Sequence, residues 1–198
     1  MTAPILPGLE PARPVPASVA GAGPAPRTIG LDLSLTSTGI CLTSGSTCRI
    51  KTRQKDGDRR LNLIRDLVRA AIREERPQLA VIEDLPRHGK GAGIVAMVHG
   101  VVRAELVDAH VPYALVVPAT LKAFACDHGS ADKARMAAAA YLAAGAEFLE
   151  DPGGDQCDAW WLRAAGLDWY GQPLFGLPEK QRARLSKVRW PNLAEVAR

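Results

Sequence analysis

Thr28-Ile29-Gly30-Leu31-Asp32-Leu33-Ser34-Leu35-Thr36-Ser37-Thr38-Gly39 is the stretch whose reading decides the fold. An apolar run leads into an acid, and a polar turn follows. Residues 28–34 and 38–43 read as two strands joined by that turn. With 47–53 as a third strand they predict an antiparallel meander. The acid is the informative residue. A carboxylate at the end of a buried strand is costly unless it meets something cationic.

Working outward, Leu61, Ile64, Leu67, Val68, Ala71 and Ile72 recur at helical spacing between Asp58 and Arg76, and Pro77 closes that helix. Leu79–Glu83 is a short buried strand ending in a second acid. A glycine-rich basic loop spans 84–93, and a helix runs from Ile94 to Ala109. Val111–Val117 is a strand leading to Pro118, which suits the first turn of a helix carrying Leu121, Lys122 and Phe124. Cys126-Asp127-His128-Gly129 is a turn, and Ser130 is expected to cap an alanine-rich helix reaching Ala144. After a loop over 145–154 the last long helix is Asp155–Leu167. Strands first and helices interleaved afterwards predict an α/β fold, a mixed sheet covered on both faces.

The chain has 198 residues, enough for one domain with a real core. Residues 1–27, dominated by Pro, Ala and Gly, read as a disordered arm. The ordered domain is expected over 28–170. A basic tail over 171–198 carries Lys180, Arg182, Arg184, Lys187 and Arg189, with Trp190 to stack on DNA or to anchor a helix. Net charge of +4 and a pI near 9.0 favour a polyanionic partner mildly. Cys41, Cys48, Cys126 and Cys157 lack C-x-x-C spacing, which argues against a zinc site or a disulfide framework. No apolar run approaches a membrane span, and the N-terminus does not read as a secretory signal, so the expected location is cytoplasmic.

Four acids carry the chemical reading: Asp32, Glu83, Asp155 and Asp158. Asp155 and Asp158 lie three apart on one helix and are expected to face one way. Any one of these acids alone is an ordinary cap or a solvated side chain. Gathered in one cleft they suit magnesium, which prefers oxygen ligands. Two such ions about 4 Å apart would activate a water and stabilise the leaving oxygen of a phosphodiester. Manganese should substitute. Cys157, between two of the acids, is too soft a ligand for such ions and reads as packing. His88 and His128 are loop histidines, read either as solvated or as proton relays beside the cleft.

In order and spacing these pieces resemble the RuvC family of Holliday-junction resolvases, within the ribonuclease H-like nucleases, and most closely its phage-encoded branch. The resemblance runs from about Thr28 to Leu167. It rests on the Asp32 motif with Gly39, the strand ending in Glu83, the helix interrupted by Gly100 and the Pro118-x-x-x-Lys122 segment. It also includes the Gly129-Ser130-Ala131-Asp132-Lys133 turn and the closing Asp155-x-x-Asp158-Ala159. It implies a ribonuclease H-like fold, metal-binding catalytic roles for Asp32, Glu83, Asp155 and Asp158, and a catalytic or strand-positioning cation at Lys133. Lys122 matches a second basic position that holds phosphate. A homodimer paired through the 94–109 helix is also implied, since two symmetric cuts need two sites.

Just beyond Glu83, bacterial members carry an aromatic wedge. This chain has Leu85-Pro86-Arg87-His88-Gly89-Lys90 instead, where Leu85 would wedge and Arg87 and Lys90 would grip phosphate. Broader cutting of branched DNA, as in the phage enzymes, is the expectation. Three other readings stand beside it. One is an RNA-processing nuclease of the same fold, and another is a catalytically idle DNA-binding protein. The third is an actin-like ATPase or sugar kinase, for which Asp32-x-x-x-Thr36 would be the first phosphate loop, although no second phosphate motif or adenosine segment follows.

Overall fold

The computed structural model describes residues 25–85 and 92–193. Five strands, β1 (Thr28–Asp32), β2 (Ser37–Cys41), β3 (Thr47–Lys51), β4 (Leu79–Glu83) and β5 (Tyr113–Val116), form one sheet in the order β3-β2-β1-β4-β5. β1, β2 and β3 are the expected antiparallel meander, while β4 and β5 run parallel to β1. β1 stops two residues sooner than the apolar run suggests, because a side chain closes the turn. The Thr38 hydroxyl donates to the Ser34 carbonyl at 2.6 Å and accepts from the Ser34 N–H at 3.1 Å, removing Ser34 from the ladder.

The helices are α1 (Arg59–Glu75), α2 (Ala92–Asp108), α3 (Pro118–Cys126), α4 (Lys133–Ala144), α5 (Asp155–Trp169) and the short α6 (Glu179–Arg182), which runs into a 3-10 turn at Ala183–Lys187. Strand alternation sorts them into two layers. Ile29, Leu31, Ile40, Ile50, Ala80 and Ile82 point to one face, where Ile64, Val68 and Ile72 of α1 and Val98, Val102 and Leu106 of α2 cover them. Cys41, Leu79, Val81 and Val116 point to the other, under Leu121 and Phe124 of α3, Met136 of α4 and Trp161 and Leu162 of α5. Both faces are therefore dry, and the central strands are apolar throughout.

α5 lies almost on the backbone of the sheet, and two glycines make that possible. A Cβ at Gly39 would fall 1.9 Å from the Asp155 carbonyl oxygen, and one at Gly30 would fall 1.9 Å from that of Ala159. The Asp32 motif thus needs glycine where α5 presses against β2 and β1. Its Trp161 is fully buried, edge-on to Phe124 and Trp160, with its indole N–H donating to the Met136 carbonyl at 3.2 Å.

The start of α4 corrects one expectation. Asp132, not Ser130, is the cap: its carboxylate accepts from the Arg135 N–H at 2.8 Å. Ser130 lies two residues before that cap and pairs instead with His128 Nδ1 at 3.0 Å. Pro118 does open α3. Arg76 takes a left-handed conformation (φ 45°) ahead of Pro77 and ends α1.

Beyond Gly171 the described chain folds back onto α3 and α5. Leu185 is fully buried, and Gln181 donates to the Phe124 carbonyl at 3.0 Å. Arg182 grips Asp168 of α5 at 2.9 Å, and Lys180 and Arg184 both reach Asp127. Trp190 stacks on Trp169 at 5.5 Å, so it anchors this segment. Three of the five basic residues expected to face DNA are therefore held in internal ion pairs. Among the described residues no helix is long and apolar enough to cross a membrane.

Candidate active site

Strand register brings the first two acids together. β1 and β4 are paired up to Leu31 and Ile82, so Asp32 and Glu83 are the next residues along both strands. Both leave the sheet at its carboxyl edge on the α5 side, and their side chains share a hydrogen bond. Asp32 also sits opposite Gly39 of β2, which sits opposite Arg49 of β3. One row across the sheet thus reads Arg49, Gly39, Asp32, Glu83. The first turn of α5 lies over Gly39 and brings Asp155 and Asp158 to this row.

The electrostatics are those of negative charge gathered in a dry place. Each acid keeps some exposed edge. Burial nevertheless pushes Asp32 well above the ordinary carboxylate range, and the charges of Glu83, Asp158 and Asp155 push it further. Glu83 is raised to about 7, first by burial and then by Asp158. Asp158 is raised to about 6 by burial, against the pull of Lys122 and Lys133. The hydrogen bond between them acts in opposite directions on the two acids, raising Asp32 and lowering Glu83.

Asp155 behaves differently from its helix neighbour. Its Oδ2 accepts from the Ser37 hydroxyl at 2.5 Å and lies 3.8 Å from Arg49 Nη1. The carboxylate folds back over Gly153, with Oδ2 2.7 Å from where a Cβ on that glycine would stand. Ser37 and Arg49 thus hold the Asp155 carboxylate toward β2 and β3, while its charge still acts on Asp32 and Asp158. A third carboxylate supports this corner. Asp151 accepts from the Gln156 and Cys157 N–H groups at 3.0 and 3.1 Å, capping α5 from the preceding loop, and its other oxygen is 3.7 Å from Arg49 Nε.

Of the predicted cations, Lys122 on α3 and Lys133 at the start of α4 both lie near enough for their charges to lower the proton affinity of Glu83 and Asp158. Lys133 also lies along Gly154, its Cγ and Cδ each 3.4 Å from where a Cβ would be. Arg87, Lys90 and His88 lie outside the described residues, as do residues 1–24 of the expected arm. His128 is tied to Ser130. Cys157 is buried, as its packing role requires.

Ser37, Arg49 and Asp151 were missed by sequence reasoning. Arg49 left one legible trace, the alternation Thr47, Arg49, Lys51 that puts it on the Asp32 face. Asp151 in Asp-Pro-Gly-Gly has the composition of a helix-capping loop.

The donor set fits a hard divalent cation in its chemistry. It offers carboxylate oxygens, half-buried, whose raised proton affinity marks a deficit of positive charge. Asp32, Glu83 and Asp158 are the residues to hold such an ion, with Asp155 able to join by turning from Ser37. Among the described residues no three His, Cys, Asp or Glu side chains are gathered tightly enough to hold an ion as they stand.

No family model matches the sequence, and no curated protein does. Solved structures do. Thermus thermophilus RuvC superimposes with a TM-score of 0.61 at 21% identity, covering 73% of this chain and 96% of that one. The structure of T. thermophilus RuvC in complex with a Holliday junction substrate gives 0.61 at 22%, covering 74% and 98%. The yeast mitochondrial Holliday junction resolvase Ydc2 aligns over 83% of each chain at 12% identity and a TM-score of 0.44. The chain is RuvC-like in fold, a ribonuclease H-like mixed sheet with helices on both faces.

Proposed function

We propose that this protein is a magnesium-dependent endonuclease that resolves Holliday junctions or other branched DNA by phosphodiester hydrolysis. The observation that carries this reading is the hydrogen-bonded Asp32–Glu83 pair, with Asp158 beside it, at the carboxyl ends of adjoining parallel strands in a RuvC-like fold. Ligands of open α/β sheets sit at that edge. A solved structure of this fold is a complex with a Holliday junction substrate, which supports the choice of DNA.

Asp32, Glu83, Asp155 and Asp158 hold the ions, two in number. Bound magnesium supplies water activation and stabilises the leaving oxygen. Lys133 and Lys122 neutralise the scissile phosphate from the side of α4 and α3. Arg87 and Lys90 extend that grip along the strand. With Leu85 in place of an aromatic residue, cutting extends beyond four-way junctions to forks and flaps, the broader selectivity of a phage-type member.

The protein works as a two-fold homodimer. Ile94 and Met97 on α2 and Leu63 and Leu67 on α1 are each 44–48% exposed, an apolar surface away from the acids that suits pairing with a second copy.

The test is a cleavage panel of four-way, forked, duplex and single-stranded DNA and of matched RNA, with magnesium, with manganese and with chelator. Metal-dependent nicking confined to branched DNA is expected, with binding that weakens as salt rises. Cutting that persists in chelator, or RNA cut in preference to DNA, overturns the proposal.

A further inference from the structure

We infer that Arg49 is a positioning residue for Asp155: with Ser37 it holds this carboxylate on the β2–β3 side of the site, so that a divalent ion must compete with the guanidinium for it. The inference rests on the metal-site reading above and concerns residues that reading does not use.

Arg49 is a built part of the site. It occupies the same row of the sheet as Asp32 and Glu83, separated from Asp32 only by Gly39. Its side chain is only 9% exposed, low for an arginine on the edge strand of a sheet. Three oxygens meet it from the loop and helix packed above. Asp155 Oδ2 is 3.8 Å from Nη1, Asp151 Oδ1 is 3.7 Å from Nε, and the Glu150 carbonyl accepts from Nη2.

The Asp151 side chain is only 2% exposed, and its Oδ1 makes no hydrogen bond, so the Arg49 charge is what compensates it. The same charge reaches Asp155, whose Oδ2 is also fixed by the Ser37 hydroxyl. Asp155 is thus the one acid of the four with two partners holding it toward the β2–β3 side.

The physical consequence has a definite sign. A fixed positive charge beside a ligand repels an incoming dication and competes for the ligand's oxygen. Removing it strengthens ion binding. One unit charge at such a range in a partly wet site changes affinity by roughly 3- to 10-fold.

The experiment measures manganese binding to the full-length protein without DNA, by calorimetry and by the resonance of free manganese. Arg49→Gln is expected to lower the dissociation constant by roughly 3- to 10-fold, while Arg49→Lys, which keeps the charge, stays near wild type. Ser37→Ala frees Asp155 without touching Asp151 and is expected to lower the constant about twofold. It decides the matter if Arg49→Gln does not fold. Unchanged or weaker binding in Arg49→Gln and Ser37→Ala overturns this role of Arg49 while leaving the nuclease reading intact. Wild-type protein that binds no manganese at all overturns both.

Discussion

Burial raises the proton affinity of Asp32, Glu83 and Asp158, and the neighbouring carboxylate charges raise it further. Stability should follow from this in the ion-free protein. Glu83 lies at about 7 folded against an ordinary 4.5, and Asp158 at about 6 against 3.8. Between those values the folded state binds more protons than the unfolded chain, so stability falls as pH rises. The favourable contribution is complete below about pH 4 and gone above about pH 7. Melting in chelator should therefore occur on the order of 5 °C lower at pH 8 than at pH 5 from these groups. Magnesium should restore most of the difference at pH 8 and little at pH 5. Asp32→Asn removes one of the acids whose charged form burial disfavours. It should abolish cleavage, retain binding to branched DNA and raise the ion-free melting temperature at pH 8. A variant that cuts like wild type would remove Asp32 from the site.

At the scale of the element, α5 is what assembles the site. It carries Asp155 and Asp158 and is seated against the sheet at Gly39 and Gly30, where any side chain would collide with helix backbone. Gly39→Ala has no flexible neighbour to push aside. It should cost about 3 kcal/mol of stability, an overpacking penalty at the high end. It should also lift the first turn of α5, with loss of cleavage in whatever folded protein remains. Urea denaturation gives the first quantity and the cleavage assay the second. A stable and active Gly39→Ala would mean that α5 does not sit on β2 as described. Asp151 supports the same helix by capping the N–H groups of Gln156 and Cys157 from a side chain that is 2% exposed.

For the whole molecule, the segment after Gly171 is a brace rather than an appendage. Phe175 stacks on Trp160 at 5.4 Å, Leu185 is fully buried, and Asp127 at the end of α3 receives both Lys180 and Arg184. Since α3 carries Lys122, the brace also holds the helix of one cation of the candidate site. Leu185→Ala should cost about 2–5 kcal/mol, the range for emptying a closed core position, and calorimetry measures it directly. The exposed surface of α1 and α2 is where the proposed dimer would pair. Ile94→Glu with Met97→Glu should convert a dimer to a monomer in light scattering without changing the circular dichroism. A wild-type protein already monomeric at micromolar concentration would refute the pairing.

The sequence by itself determined the strand order along the chain, the helix periods and the acids at strand ends, because these depend on spacing within one element. Asp32 and Glu83 were legible as candidate site residues for that reason: each ends an apolar run whose alternation points it to one face. Thr28 to Asp32 needed nothing more than period two. Only the tertiary structure decided that Ser37 and Arg49 hold Asp155 and that Arg49 stands in the same row as the acids. These outcomes depend on contacts between residues as far apart as Ser37 and Asp155, 118 positions distant in the chain. The tail shows the same division. Its basic composition was plain, yet Arg182 and Lys180 are bound to Asp168 and Asp127, since a charge finds its partner by folding and not by sequence order.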